Sequence, residues 1–119
     1  MVPVRVVHIR EGSSTTIATR VEFADTFLKR ARGLMFRRSI PENYAMAFQF
    51  TNVKPRTIHM VCVPFPLDAI WIQGNTVQFV ETLSPWIGIS RGRGDLLLEV
   101  PAGVGDAIRP GDTVEIRPA

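Results

Sequence analysis

Gly74-Asn75 constrains this chain more tightly than any other pair of residues. It sits between Leu67 to Gln73 and Thr76 to Leu83, two runs with the composition of β-strands. Glycine and asparagine both enter the left-handed backbone region that a two-residue turn demands, so the pair predicts an antiparallel hairpin. Alternation along the first strand puts Asp68, Ile70 and Ile72 on one face and Leu67, Ala69 and Trp71 on the other. A two-residue loop then sets Ile72 opposite Val77, Ile70 opposite Phe79 and Asp68 opposite Glu81.

The rest of the chain supplies partners for that hairpin. Val2 to Ile9 is β-branched, Glu11-Gly12-Ser13-Ser14 is a turn, and Thr15 to Phe23 alternates, which predicts a second hairpin. From Ala24 to Arg32 the period changes. Phe27, Leu28 and Ala31 fall on one side and Lys29, Arg30 and Arg32 on the other, as in a short amphipathic helix capped by Asp25 or Thr26 and ended by Gly33. Ala45 to Phe50 and Thr57 to Val63 read as two further strands, Pro85 to Gly94 as an exposed loop, and Leu96 to Val100 as a strand. Gly103 to Ile108 suits one helical turn, and Thr113 to Arg117 a last strand. The expected fold is mainly β: a small closed or partly open barrel of about seven to eight short strands with one or two short helices, with a sandwich as the alternative. Residues 1–119 form one domain of this kind. Repeated helical crossovers, which an α/β fold requires, are missing.

Composition narrows the function classes. No run approaches the roughly 18 apolar residues of a membrane helix, and the first residues lack the basic head and apolar stretch of an export signal. Cys62 is the only cysteine, which excludes an intrachain disulfide and a cysteine-clustered zinc site. A cytoplasmic protein follows as the expectation. The net charge is +3, carried by twelve arginines and only two lysines, Lys29 and Lys54. That falls short of a nucleic-acid footprint. No nucleophile elbow, Walker loop or dinucleotide fingerprint occurs. The sequence therefore predicts no cofactor, no resident metal, no membrane partner, and a monomer or homodimer.

Several stretches together resemble one known family. They are Arg32-Gly33-Leu34-Met35-Phe36-Arg37, Met46-Ala47-Phe48, His59-Met60, Pro66-Leu67-Asp68-Ala69-Ile70-Trp71-Ile72, Pro85-Trp86, Leu98-Glu99-Val100-Pro101-Ala102-Gly103 and Gly111-Asp112. Their order and spacing resemble the family known as domain of unknown function 192, from about Ala24 to the end. The resemblance implies a compact β-barrel-like domain, cytoplasmic in some members and exported in others, and no established substrate, cofactor or partner. Many members carry an aromatic-Met-Lys-Asn-Thr run where this chain has His59-Met60-Val61-Cys62-Val63. The lysine is missing here, so no role attached to it transfers.

The candidate ligand-binding residues are Asp68, Glu81, His59, Glu99, Arg32 and Arg37. Two carboxylates facing each other across a hairpin repel. Asp68 and Glu81 would then share an arginine, lie screened at a sheet edge, or serve as an acid/base or cation-binding pair. Arg30, Arg32, Arg37 and Arg38 flank Gly33 and suit an anion, structural carboxylates such as Glu22, Asp68 or Glu99, or a plain solvated face. Glu99 lies on the face opposite Leu98 and Val100, where a structural salt bridge is expected. His59 is expected as a hydrogen-bonded core residue on the face of Val61 and Val63, and Cys62 as buried and inert on the other face.

Three functional readings remain open. The first is a module binding a small anionic or zwitterionic molecule at a barrel mouth. The second is an acid/base or metal-assisted hydrolase using Asp68, Glu81 and His59. The third is a protein- or RNA-interaction module using Trp86 and the Arg91–Arg93 loop. Whether the chain is an enzyme stays undecided at this point.

Overall fold

The computed structural model describes residues 3–119, the side chains of residues 27 and 28 excepted. Eight strands form one sheet: β1 (Val4–Arg10), β2 (Ser13–Ala18), β3 (Arg20–Phe23), β4 (Tyr44–His59), β5 (Leu67–Gln73), β6 (Thr76–Leu83), β7 (Ile89–Pro101) and β8 (Thr113–Pro118). A short helix α1 (Phe27–Arg32) joins β3 to β4, and a 3-10 turn (Val104–Ala107) joins β7 to β8. The strand order is β2-β1-β8-β6-β5-β7-β4-β3, antiparallel throughout except for the parallel β3–β4 pair. The sheet curls without closing. The curl brings β1 close to β3 while β2 and β3 remain the two ends of the strand order, so the barrel is partly open.

The predicted β5–β6 hairpin forms, with Gly74 and Asn75 at φ 56° and 65°. Its register matches expectation only beside the turn, where Gln73 faces Thr76 and Ile72 faces Val77. A bulge then leaves Gln78 without an opposite residue. Beyond it Trp71 faces Phe79, Ile70 faces Val80, Ala69 faces Glu81 and Asp68 faces Thr82. A one-residue slip moves every later side chain to a new partner, so the expected Asp68–Glu81 pair does not exist.

Three other expectations change. The Thr15 to Phe23 run breaks at Thr19, where the N–H groups of Thr19 and Arg20 both donate to the Asn43 carbonyl (3.0 Å each) and redirect the chain into β3. The two strands expected over 45–50 and 57–63 are one long strand, β4, whose register against β7 shifts between Gln49 and Lys54 and whose end is His59. Pro85 to Gly94 is not a free loop, because β7 starts at Ile89. Its glycines serve close packing rather than mobility: a Cβ on Gly92 would strike the Trp71 ring, and one on Gly94 the Ile72 backbone. This ribbon therefore lies over Trp71, whose indole N–H donates to Ser90 Oγ at 3.1 Å.

Core packing falls into two layers on either side of β5, which is buried from Leu67 through Ile72. Val6, Ala45, Ala47, Ile70, Ile72, Leu98, Val100 and Val114 fill one layer. Met46, Phe48, Leu67, Ala69, Trp71 and Leu97 fill the other, covered by Leu34, Met60 and Val63. Helix α1 begins where Thr26 Oγ accepts the Lys29 N–H (3.1 Å) and ends where the Gly33 N–H reaches the Lys29 carbonyl (2.8 Å). Of its expected apolar face, Phe27 and Leu28 lie outside the described side chains and Ala31 is exposed rather than packed; the start of β1 at Val2 lies outside the described residues. Among the described residues, no helix is long and apolar enough to cross a membrane.

Candidate functional site

Alternation along β7 points Leu96, Leu98 and Val100 into the first core layer, so Leu97 and Glu99 face the second. Glu99 stands beside Met46 of β4 and Ala69 of β5, and only 6% of it is exposed. The salt bridge expected for it is absent: among the described residues no cation lies within ion-pair distance, and no donor bonds its carboxyl. Burial alone pushes its pKa up to about 7. Buried carboxyls normally carry partners, because losing hydration without them is costly.

The Glu99 carboxyl instead borders a cleft of about 100 Å³. The turn after α1 forms its roof. Gly33, at φ 52°, matters here because a Cβ would lie 3.7 Å from Glu99 Oε1 and 3.6 Å from Phe48 Cζ, narrowing the space above the acid. Thr57, Ile58 and His59 at the end of β4 form a wall, with Met35 and Val63 beside them. Arg30 and Arg32 stand at the cleft from the last turn of α1. Each is anchored by Nε to a backbone carbonyl, Arg30 to Ala24 (3.2 Å) and Arg32 to Met35 (3.3 Å). Among the described residues, their terminal Nη groups make no hydrogen bond. His59 is exposed rather than core, and its Nδ1 accepts the Val61 N–H at 3.3 Å. That bond leaves Nε2 free for a ligand.

Of the six residues proposed from sequence, the fold thus brings Glu99, His59 and Arg32 to one cleft, together with Arg30. The other three go elsewhere. Asp68 is 1% exposed and faces neither Glu81 nor an arginine. Its carboxylate accepts from Thr82 Oγ (2.6 Å) and from the N–H groups of Gly103 (3.0 Å) and Gly105 (2.8 Å). It therefore ties the 3-10 turn to β5. Glu81 is half-buried on β6 opposite Ala69 and does not line the cleft.

Arg37 clamps Glu22 through two bonds of 2.6 and 2.8 Å and also donates to the Tyr44 hydroxyl (3.1 Å), which itself donates to Glu22 (2.6 Å). Burial alone would raise Glu22, yet the Tyr44 and Arg37 hydrogen bonds and the guanidinium charge hold it below the usual carboxylate range. Burial and the bond to Glu22 push the Tyr44 hydroxyl well above its ordinary value. This triad fastens the segment after Gly33 to β3 and β4.

Cys62 is half-buried in the turn after β4 rather than on a strand face. Sequence reasoning missed two features. The His8–Asp112 contact (2.8 Å) joins residues 104 positions apart and left no local signal. The roof role of Gly33 was visible only as a helix end. Among the described residues, no three His, Cys, Asp or Glu side chains cluster as metal ligands.

Comparison with known proteins places this geometry in context. The DUF192 family model, described as "Uncharacterized ACR", matches residues 7–116. A UPF0127 protein of Pyrococcus horikoshii is 32% identical over 90% of this chain and 96% of its own, and one of Pyrococcus abyssi 33% identical over 92% and 96%. A crystal structure from Novosphingobium aromaticivorans, of a protein of unknown function, superposes with a TM-score of 0.82 at 26% identity, covering 93% of this chain and 83% of that one. One from Sinorhizobium meliloti, of a protein given the provisional description of transcription regulator, gives 0.84 at 29% identity over 94% and 92%.

Proposed function

This chain belongs to the DUF192 family, and we propose from its own cleft that it binds a small zwitterion of amino-acid size. The ligand's ammonium meets Glu99, and its carboxylate meets the Nη groups of Arg30 and Arg32 and Nε2 of His59. One observation carries the reading: Glu99 is a buried carboxyl without a partner among the described residues, facing a cleft whose rim carries two arginines. A ligand cation would supply the missing partner, and arginine holds a carboxylate bidentately. The cleft is well below the roughly 300 Å³ of drug-sized sites, so the ligand, or the end of it that enters, is small.

The test is a thermal-shift series at pH 8, where Glu99 is ionised, with amino acids, alkylamines and simple carboxylates compared at equal concentration. Zwitterions at about a hundred times the dissociation constant should add roughly 2.7 kcal/mol, a shift of several degrees. Glu99→Gln should remove the response. A flat series, or amines and carboxylates matching zwitterions, would overturn the reading.

A carboxyl titrating near neutrality is also suited to proton transfer. That second reading rests on the same Glu99 and requires turnover of whatever the cleft binds. The hydrolase expected on Asp68, Glu81 and His59 lacks geometric support, since Asp68 faces Thr82, Glu81 faces Ala69, and His59 lines a cleft that neither of them enters.

A further inference from the structure

Beside the cleft, three chain segments present large apolar side chains to solvent: Phe36 after α1, Val61 after β4, and Trp86, Ile87 and Ile89 leading into β7. Ile87 is the extreme case at 81% exposed. Backbone hydrogen bonds stitch the segments together, from the Phe36 N–H to the Cys62 carbonyl (2.8 Å), from Trp86 to Val63 (3.0 Å) and from Met60 to Gly88 (2.9 Å). The apolar tips therefore form one neighbourhood on a fixed frame. Phe36 and Trp86 hold left-handed backbone, at φ 69° and 67°, which costs an L-residue about 1 kcal/mol or more. The frame keeps these side chains outside instead of folding them in.

Charge is segregated on the same segments. Residues 26–41, 43–67 and 82–94 contain nine of the fourteen lysines and arginines and no aspartate or glutamate. Only Lys29 and Arg37 of those nine pair with an acid among the described residues. Arg32 lies over the Phe36 ring (5.7 Å), and Arg91 and Arg93 extend from β7 just past Ile89.

We propose that this face docks on an anionic phospholipid surface, Phe36, Val61, Trp86, Ile87 and Ile89 entering the headgroup boundary and the surrounding arginines meeting lipid phosphates. Protruding aliphatic tips favour lipid over nucleic acid, whose bases reward flat aromatic stacking and leave isoleucine unused. They also favour lipid over a second protein, which would have to offer a pocket for each tip. A tryptophan at the boundary and arginines around it is the pattern of a protein lying on a membrane, as distinct from one spanning it. The proposal is independent of the zwitterion site, although the two share the Gly33–Phe36 segment.

Tryptophan fluorescence tests it cleanly, because Trp71 is fully buried and bonded to Ser90 while Trp86 is 58% exposed. The intact chain is mixed with phosphatidylcholine vesicles, or with vesicles that also contain phosphatidylglycerol, and followed by co-sedimentation. Anionic vesicles should shift Trp86 emission to the blue, shield it from an aqueous quencher and pellet the protein; neutral vesicles should do much less. Ile87→Ser with Ile89→Ser should abolish the effect while circular dichroism stays unchanged. Arg91→Gln and Arg93→Gln should each weaken partition roughly fivefold.

Absence of binding, or equal binding to both vesicle types, would overturn the proposal. Emission already blue and quencher-protected in the free protein, with mass rising on concentration, would assign the face to a second copy of the chain. A response to single-stranded RNA but not to vesicles would assign it to nucleic acid.

Discussion

Asp68 and Glu99 stand on adjacent strands, one step out of register, and both are almost wholly removed from water. Asp68 points toward the 3-10 turn and collects three donors. Glu99 points into the other layer, under Gly33, and collects none among the described residues. The difference separates two uses of a buried carboxylate. Where the chain itself supplies the donors, the acid organises structure. Where it supplies none but leaves a cleft, the acid is available to something that arrives from solution.

Removing Asp68 should have the largest effect. Asp68→Ala leaves the buried Gly105 N–H and the Gly103 N–H without an acceptor and deletes charge-assisted bonds, a loss of about 4 kcal/mol. Asp68→Asn keeps one oxygen for those two N–H groups and turns its amide toward Thr82, so it should cost about 1 to 2 kcal/mol. Urea unfolding midpoints measure both. If Asp68→Ala lost less than about 1 kcal/mol, the contrast with Glu99 would collapse.

Glu99 should act with the opposite sign. Its folded pKa of about 7 lies above the ordinary 4.5, so the native state holds the proton more tightly than the unfolded chain. The stabilising effect is complete below pH 4.5 and is lost as pH rises through 7. Its size is about 3 kcal/mol across that window. Glu22 and Asp112, both held low, contribute the reverse slope, present at higher pH and lost on acidification. The clean quantity is therefore the difference between the parent and Glu99→Gln. The two should be near equal in stability at about pH 4.5, with the variant about 3 kcal/mol more stable at pH 8. Parallel pH profiles would show that Glu99 has a partner after all.

Much of this contrast was legible in the sequence, and what was not has identifiable causes. Gly74-Asn75 gave its hairpin because turn chemistry is local. Period-2 alternation put Glu99 off the face of Leu98 and Val100, which is where it lies. The Asp68–Glu81 pairing failed because Gln78 bulges, and nothing in Thr76-Val77-Gln78-Phe79 marks a bulge. Gly92 and Gly94 read as a flexible loop because local sequence does not record that Trp71 and Ile72 pack against them. His59 read as core because β4 was taken to continue through Val63, when it ends at His59. Arg37 could not be told from Arg32 by spacing, since Glu22 and Tyr44 reach it from other strands.

The smallest stability effect should come from Arg32, and it sharpens the comparison most. Arg32 is exposed, and among the described residues its side chain makes one hydrogen bond, to the Met35 carbonyl. Arg32→Ala should therefore change unfolding free energy by no more than about 0.5 kcal/mol. If its Nη groups hold the carboxylate of a zwitterion whose ammonium sits on Glu99, the same change should weaken binding about tenfold or more, the worth of a charge-assisted bond. Calorimetry on the parent and variant reads both quantities from the same preparations. Unchanged stability with lost affinity would place Arg32 with Glu99 on the ligand side of the molecule. A stability loss comparable to that of Asp68→Asn, with affinity retained, would place it with Asp68 among the groups that hold the fold.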